Sequence, residues 1–410
     1  MKKCLVVGGG VVGLCSAYYL AKAGHHVTVV DKSNMQNGCS YGNAGMIVPS
    51  HIIPLAQPGV ISKGFRWMFN TKSPFYVRPN LSLDLLKWLS AFYKNANQIH
   101  VNNSKEALLN LSLMSKELYQ DFSKLNSKLE YKEKGLLMLY RTEKVAEEEM
   151  KIAESVRQAG LNVDVLSENA LKQLENNIST AAIGAVHYKC DAHISPNEFM
   201  SFLKRELYRL EVNVISGQEI TSVNCNKNKV LSFKTSSNEF KVDEYVLAAG
   251  SWSPLVANML GIKIKLLPAK GYSFNMVDIE KKPIIPSILC EGKVAITPMN
   301  NELRFAGTFG ITNVKDQRIS EKRIKGMVEE VNLFFPTLKI KTPKIEDVWS
   351  GLRPCTPTGL PIISKSSRYS NLTICTGHAM MGLSLGPASG KLVEQMISNS
   401  KKSIDISRFT

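Results

Sequence analysis

Gly8, Gly10 and Gly13 stand at the spacing G-x-G-x-x-G near the start of a 410-residue chain, and the next apolar run ends in an acid, Asp31. Glycines so spaced cradle a pyrophosphate. The first makes a tight turn, the second lets backbone approach the phosphates, and the third lets a helix pack close to a strand. A carboxylate at the end of the second strand can accept both hydroxyls of an adenosine ribose. An acid there, rather than a basic or small residue, disfavours a 2′-phosphate, so the expected ligand is FAD or NAD.

Those residues need a βαβ unit to hold them. Cys4 to Val7 is a short apolar run of the kind that makes a buried parallel strand. Leu14, Tyr18 and Ala21 repeat at helical spacing, Gly24 closes the helix, and Val27 to Val30 forms the second strand. The predicted helix N-terminus offers free N–H groups and a positive dipole end to phosphate. Lys2 and Lys3 before an apolar stretch also suggest a signal peptide. Tyr18, Lys22 and two histidines interrupt the run and no small-residue cleavage site follows, so that reading is rejected.

The formal charge of +16 raises nucleic acid, an anionic membrane face or anionic substrates as partners. The lysines are dispersed and no nucleic-acid motif accompanies them, so no nucleic acid is expected, and an adventitious basic surface or weak lipid attraction accounts for the charge. Eight scattered cysteines without a C-x-x-C indicate reduced, cytoplasmic usage. No stretch approaches the about 18 apolar residues of a membrane span. Neither an internal repeat nor a low-complexity segment is visible.

After Asp31, the small-residue loop Asn37-Gly-Cys-Ser-Tyr-Gly-Asn-Ala-Gly-Met46 suits a flat ring lying against backbone. Leucine stripes predict helices over 80–160: Leu81, Leu85, Leu86, Leu89 and Phe92, then Leu108, Leu111, Leu118, Phe122 and Leu125. Gly135 to Tyr140 reads as a strand between them and the next helix. Short strands broken by a helix from Pro196 to Leu210 lead to Glu244-Tyr-Val-Leu-Ala-Ala-Gly-Ser-Trp252, and residues 264–310 alternate as strands. A helix from about Ser320 to Phe334 precedes Gly351-Leu-Arg-Pro354 and Gly377-His-Ala-Met-Met-Gly-Leu-Ser-Leu-Gly386, and the latter opens a last helix from Gly382 to Ile397.

Ser40 to Met46 with Pro49, Ala56-Gln-Pro-Gly59, Trp67-Met-Phe, Ala248 to Trp252, Gly351 to Pro354 and Gly377 to Gly386, in that order, resemble the small subunits of FAD-dependent D-amino acid dehydrogenases, within the D-amino acid oxidase and glycine oxidase superfamily. The resemblance implies noncovalent FAD, since no cysteine falls where related sarcosine oxidases attach flavin and Cys355 lies a few residues too late. It implies cofactor contacts at Gly8, Gly10, Val11, Val12, Gly13, Asp31 and Lys32, at Asn43, Ala44, Gly45 and Met46, and at Ile220, Ala249, Gly250 and Trp252. In the C-terminal part it implies them at Gly377, His378, Met380, Met381, Gly382, Leu383 and Ser384. The arginine of Gly-Leu-Arg-Pro, here Arg353, would grip the substrate carboxylate bidentately. Tyr272 would bond the carboxylate or amine from the substrate-domain sheet, and His51, where an aromatic is usual, would line the pocket. His378 is expected to be positional.

Two departures stand out: Ala379 where the family has glycine, and Thr358 where it has aspartate. His187, Cys190 and His193 were weighed as zinc ligands. On a strand, odd offsets point to opposite faces and no second cluster follows, so no metal is expected.

The fold expected is α/β, a two-domain FAD-binding doubly wound (Rossmann-like) fold with an interleaved antiparallel-sheet substrate domain of the D-amino acid oxidase type. The FAD-binding domain would comprise 1–60, 145–265 and 345–410, and the substrate domain 61–144 and 266–344. The activity expected is oxidative deamination of D-amino acids, D-proline or hydroxy-D-proline included, by hydride transfer from Cα to flavin N5. Electrons would pass to a quinone or other acceptor, in the cytoplasm or peripherally on the inner face of the plasma membrane; oligomeric state is left open. A glycine or sarcosine oxidase making hydrogen peroxide, a catalytically silent flavoprotein subunit of a hetero-complex, and an NAD dehydrogenase are the alternatives.

Overall fold

The computed structural model describes residues 1–60, 73–77 and 82–410. The run KCLVV forms β1 (Lys3–Val7), which pairs in parallel with β2 (His26–Val30) on one side and Glu244–Leu247 on the other. Between them, α1 (Val11–Lys22) is apolar almost all round, as a helix buried on several sides must be. Gly24, at φ +85°, ends it. The C-terminal helix Gly382–Ser398 crosses α1 so closely that a Cβ on Gly390 would fall 2.5 Å from the Cys15 carbonyl carbon.

Strands Asn213–Ile215 and Leu372–Thr376 extend this sheet in parallel, and Ile362–Lys365 closes its edge antiparallel. The result is the expected doubly wound α/β sheet, drawn from both chain ends and the middle. A second sheet of nine strands, mostly antiparallel, runs from Trp349–Cys355 through Leu267–Val277, Glu302–Ile311 and Val294–Met299 to Ser287–Leu289 and Leu136–Tyr140. Helix Glu321–Phe334 covers one face of it with Ile324, Met327, Val328 and Val331 in a shared core with Phe274 and Phe305.

Two expectations need correction. Strands Val163–Ser167 and Gly184–Tyr188 continue the nine-stranded sheet beyond Leu136–Tyr140, and Trp349–Cys355 forms its other edge. Their pairing therefore lies with the larger sheet, although 145–265 and 345–410 were grouped with the nucleotide-binding segments. Cross-strand partners distant in sequence decide this, and local pattern does not carry them. In helix Leu83–Asn95, Leu86 and Leu89 are exposed, whereas Trp88 and Phe92 stack at 5.0 Å in the interior. The large rings fix the phase of the helix, with Trp88 Nε1 donating to the Cys355 carbonyl. In helix Gln98–Leu125 the buried stripe runs through Leu108, Leu111, Tyr119 and Phe122, and Leu125 is exposed. Leu81 and Trp67-Met-Phe lie outside the described residues.

Candidate active site

A cavity of about 1470 Å³ is lined from both sheets. It exceeds the roughly 300–1,000 Å³ of ordinary small-molecule pockets. Gly8, Gly10, Val11 and Val12 bring the N-terminus of α1 to its wall, with Asp31, Lys32, Ile220, Ala249, Gly250 and Trp252. The three glycines divide their work. At Gly8 (φ +118°) a Cβ would fall 2.3 Å from the Ala248 carbonyl oxygen, and at Gly13 it would fall 1.9 Å from that of Gly8. Both are demanded by the protein's own packing, and Gly13 does not reach the cavity. Gly10 has an ordinary φ of −75°, and its Cβ would meet nothing nearer than Ser40 Oγ at 3.6 Å. Packing does not require glycine at position 10, and the space there leaves room for a phosphate group to approach the backbone.

Around that gap the polar groups are set for a dinucleotide. Ser40 Oγ accepts from Val11 N at 2.8 Å, capping α1 from a distant loop. Asp31 Oδ2 accepts from the Gly9 N–H at 2.6 Å and Oδ1 from Ser33 N and Oγ, which leaves a lone pair on Oδ2 for a hydroxyl donor. Lys32 Nζ sits 4.0 Å above the Trp252 ring.

Asn43, Ala44, Met46, His378, Met380, Met381, Gly382 and Leu383 continue the wall. Asn43 ties the loop to the C-terminal part through Met380 O at 3.3 Å. The helix Gly382–Ser398 starts without a side-chain cap, so its positive end is turned to whatever occupies the cavity. Gly45, Gly377 and Ser384 stand behind the wall. A Cβ on Gly45 would strike Ile194 O, one on Gly377 would strike Thr356, and Ser384 Oγ accepts from Val48 N at 3.0 Å. At Gly42 in the small-residue loop, and at Gly351, a Cβ would fall 2.0 Å from Trp349, so an indole packs against both glycines. A tryptophan far along the chain gave no local signal of this.

Arg353 lies half-buried on the cavity wall. Its Nη1 donates to Thr308 O and its Nη2 to Gly307 O at 3.5 Å, and the guanidinium rests over Gly271, where a Cβ would fall 2.2 Å from Cζ. Thr308 holds its carbonyl there in the left-handed region, φ +62°, an uncommon conformation for a β-branched residue. No carboxylate pairs with Arg353 among the described residues. His51 also lines the cavity. Tyr272 does not. Arg353 stands opposite Ala269 and Tyr272 opposite Ser350, so the alternation of the strands sends the tyrosine to the other face. There it packs with Phe274 under helix Glu321–Phe334, its hydroxyl accepting from Ser320 N at 3.2 Å.

Residues 3–396 match the profile of the family described as DAO, FAD dependent oxidoreductase. The chain belongs to the DAO family of FAD dependent oxidoreductases. It is 30% identical to a D-amino acid dehydrogenase of Granulibacter bethesdensis, covering 98% of this chain and 97% of that one. It is 29% identical to a D-amino acid dehydrogenase of Helicobacter pylori, covering 100% and 98%. Its fold is shared with glycine oxidase from Geobacillus kaustophilus (TM-score 0.78, 21% identity, 100% and 98% covered) and with L-proline dehydrogenase from P. horikoshii (0.74, 19%, 100% and 96%). FAD is thus the cofactor of this DAO-family chain, and the open Gly10 cradle and the free lone pair of Asp31 Oδ2 fit it.

The departures from the family pattern now have physical readings. Ala379 takes φ +48°, so a Cβ sits where glycine is strain-free. Ala379→Gly should therefore stabilise this DAO-family protein by about 1 kcal/mol, read as a higher Tm in thermal unfolding. An unchanged or lower Tm would show that the Cβ makes compensating contacts. Thr358 Oγ1 accepts from Leu360 N at 3.2 Å, a turn bond that an aspartate makes equally well. His378 Nε2 meets Ser389 Oγ at 2.8 Å, and burial alone pushes its pKa down to about 3, so it serves as a neutral strut.

His187 bonds Lys134 O at 3.1 Å, and Cys190 Sγ donates to Asp191 at 3.4 Å. Among the described residues no three His, Cys, Asp or Glu side chains gather as a metal site. Cys355 is buried with its thiol on Arg353 O and is not on the cavity wall. Sequence reasoning missed Ser40 as a cap, Trp349, Thr308 and Asp191. Ser40 lay inside the small-residue loop and Asp191 inside the His187–His193 stretch, but neither position suggested its role.

Proposed function

We propose that the protein oxidises free D-amino acids, cyclic imino acids such as D-proline and hydroxy-D-proline included, and passes the electrons to a quinone or another acceptor. The observation that carries this is Arg353: a guanidinium on the wall of the cofactor cavity, fixed by two backbone carbonyls and paired with no carboxylate of the described chain. The guanidinium is half-buried and faces the cavity without a carboxylate partner, and a planar carboxylate supplied by the substrate completes it bidentately. The D configuration is taken from the sequence relatives, because the shared fold also serves glycine and L-proline.

FAD, when bound, supplies the hydride acceptor. Arg353 sets the substrate's orientation by its carboxylate, which fixes where Cα–H points. The oxidised imino acid is released to water, which hydrolyses it to a 2-oxo acid and ammonia. FAD is held noncovalently. In this reading the chain is the flavin-carrying small subunit of a dehydrogenase. Among the described residues no helix is long and apolar enough to cross a membrane, so contact with a membrane quinone would be peripheral, favoured by the +16 charge.

Anaerobic titration of the FAD-loaded protein with a panel of D- and L-amino acids tests the proposal. Bleaching of the flavin band by D but not L isomers is expected. A flavin that no amino acid reduces would leave a silent subunit, and rapid oxygen uptake without added dye would make the protein an oxidase.

A further inference from the structure

Behind the cavity wall lies a hydrogen-bond chain that the reaction outlined above does not use. Asp191 is wholly buried between strands, without a salt bridge among the described residues. Its Oδ1 accepts from Ser50 N at 3.0 Å and from Cys190 Sγ, and its Oδ2 accepts from Ser50 Oγ at 2.6 Å. Ser50 Oγ in turn lies 3.1 Å from His51 Nδ1, and His51 lines the cavity. A serine hydroxyl has one proton. With that proton given to Asp191, Ser50 can only accept from the imidazole, so Nδ1 must carry the ring proton and Nε2 is a bare lone pair. Nε2 has no bonding partner among the described residues and lies on the ring's far side from Ser50.

We propose that Asp191 and Ser50 are positioning residues that hold His51 in the Nδ1-protonated tautomer, so that Nε2 accepts a hydrogen bond from the substrate's amino nitrogen while Arg353 holds its carboxylate. This rests on the amino acid reading above. His51 acts as an acceptor and not as a proton sink: burial, then the charge of Lys293, push its pKa down to about 4, and it stays neutral in the working range. Lys293 is itself 3.4 Å from Glu149. Around Asp191 the other titratable groups are Cys190, Tyr188 and, more distantly, Lys116 on helix Gln98–Leu125. Burial pushes the Asp191 carboxyl up to about 7 against the bonds from Ser50. Below that pH the acid proton would point at Ser50 Oγ, Ser50 would donate to His51 Nδ1, and Nε2 would carry the ring proton. The chain reverses, and the amine loses its acceptor.

Asp191→Asn mimics the protonated acid, because its amide donates where Oδ2 accepted. The direct readout is the ¹⁵N spectrum of histidine-labelled, FAD-loaded protein, with the His51 signals identified by their loss in His51→Gln. The wild type should show the Nδ1-protonated tautomer at pH 8 and cross to the Nε2-protonated one below about pH 7. Asp191→Asn should show the latter throughout. KM for a D-amino acid should rise about tenfold in Asp191→Asn at pH 8, as expected for one lost hydrogen bond, with kcat less affected and the acid limb of kcat/KM abolished. His51→Gln, which keeps an acceptor, should outperform His51→Leu.

An Nε2-protonated ring in the wild type at pH 8, or a tautomer indifferent to Asp191→Asn, would overturn the proposal even if amino acids bleach the flavin. The expected tautomers in a protein whose flavin no amino acid reduces would instead take down the substrate reading, and the amine contact with it.

Discussion

Arg353→Met is expected to cut kcat/KM for amino acid substrates by about 30- to 4000-fold while leaving FAD bound. Truncating one partner of a buried, hydrogen-bonded charge pair costs about 2–5 kcal/mol, and each 1.4 kcal/mol is about tenfold. Methionine keeps much of the side chain's volume, so the wall over Gly271 should survive. Arg353→Lys keeps the charge but loses the fork that Thr308 O and Gly307 O hold, and should recover only part of the loss. Steady-state kinetics and the flavin absorbance of each variant decide the matter. Wild-type kinetics in Arg353→Met would remove the carboxylate assignment, and with it the main support for an amino acid substrate.

Gly13→Ala and Gly10→Ala should separate two effects that one motif conceals. At position 13 a methyl group would sit 1.9 Å from the Gly8 carbonyl oxygen, so α1 must lift off β1. Overpacking against backbone costs about 1–3 kcal/mol or more, and the shift also misplaces the phosphate cradle. Both the Tm of the FAD-free protein and FAD retention should fall. At position 10 the methyl group has room in the protein and occupies the phosphate's space. The FAD-free protein should melt as the wild type does, yet lose flavin on dialysis. Equal retention of FAD in Gly10→Ala would mean that the pyrophosphate does not approach there.

What sequence could show follows from how local each signal is. β1 and α1 are written in apolar runs closed by glycines, β2 in one that stops at Asp31, and the last helix in one that opens at Gly382, and those runs end where the structure ends them within a residue or two. The alternation of Leu267–Val277 was equally plain, but period two names two faces without saying which one meets the cofactor, and Tyr272 fell on the other. The indole filling Gly42 and the Asp191–Ser50 bond join residues remote in sequence, so no window of neighbours could reveal them. The same holds for Val163–Ser167 and Gly184–Tyr188, whose sheet is set by partners elsewhere.

The meeting of Gly390 with Cys15 also bears on how the chain matures. During synthesis the phosphate-binding turn is made long before the strand Leu372–Thr376 and the helix that clamps α1. Until that helix has been made, the face of α1 that meets Gly386 and Gly390 stays uncovered, although β2 and helix Pro196–Arg209 already pack on its other sides. A complete cofactor wall thus waits on the helix Gly382–Ser398, and chaperone dependence would fall on that interval.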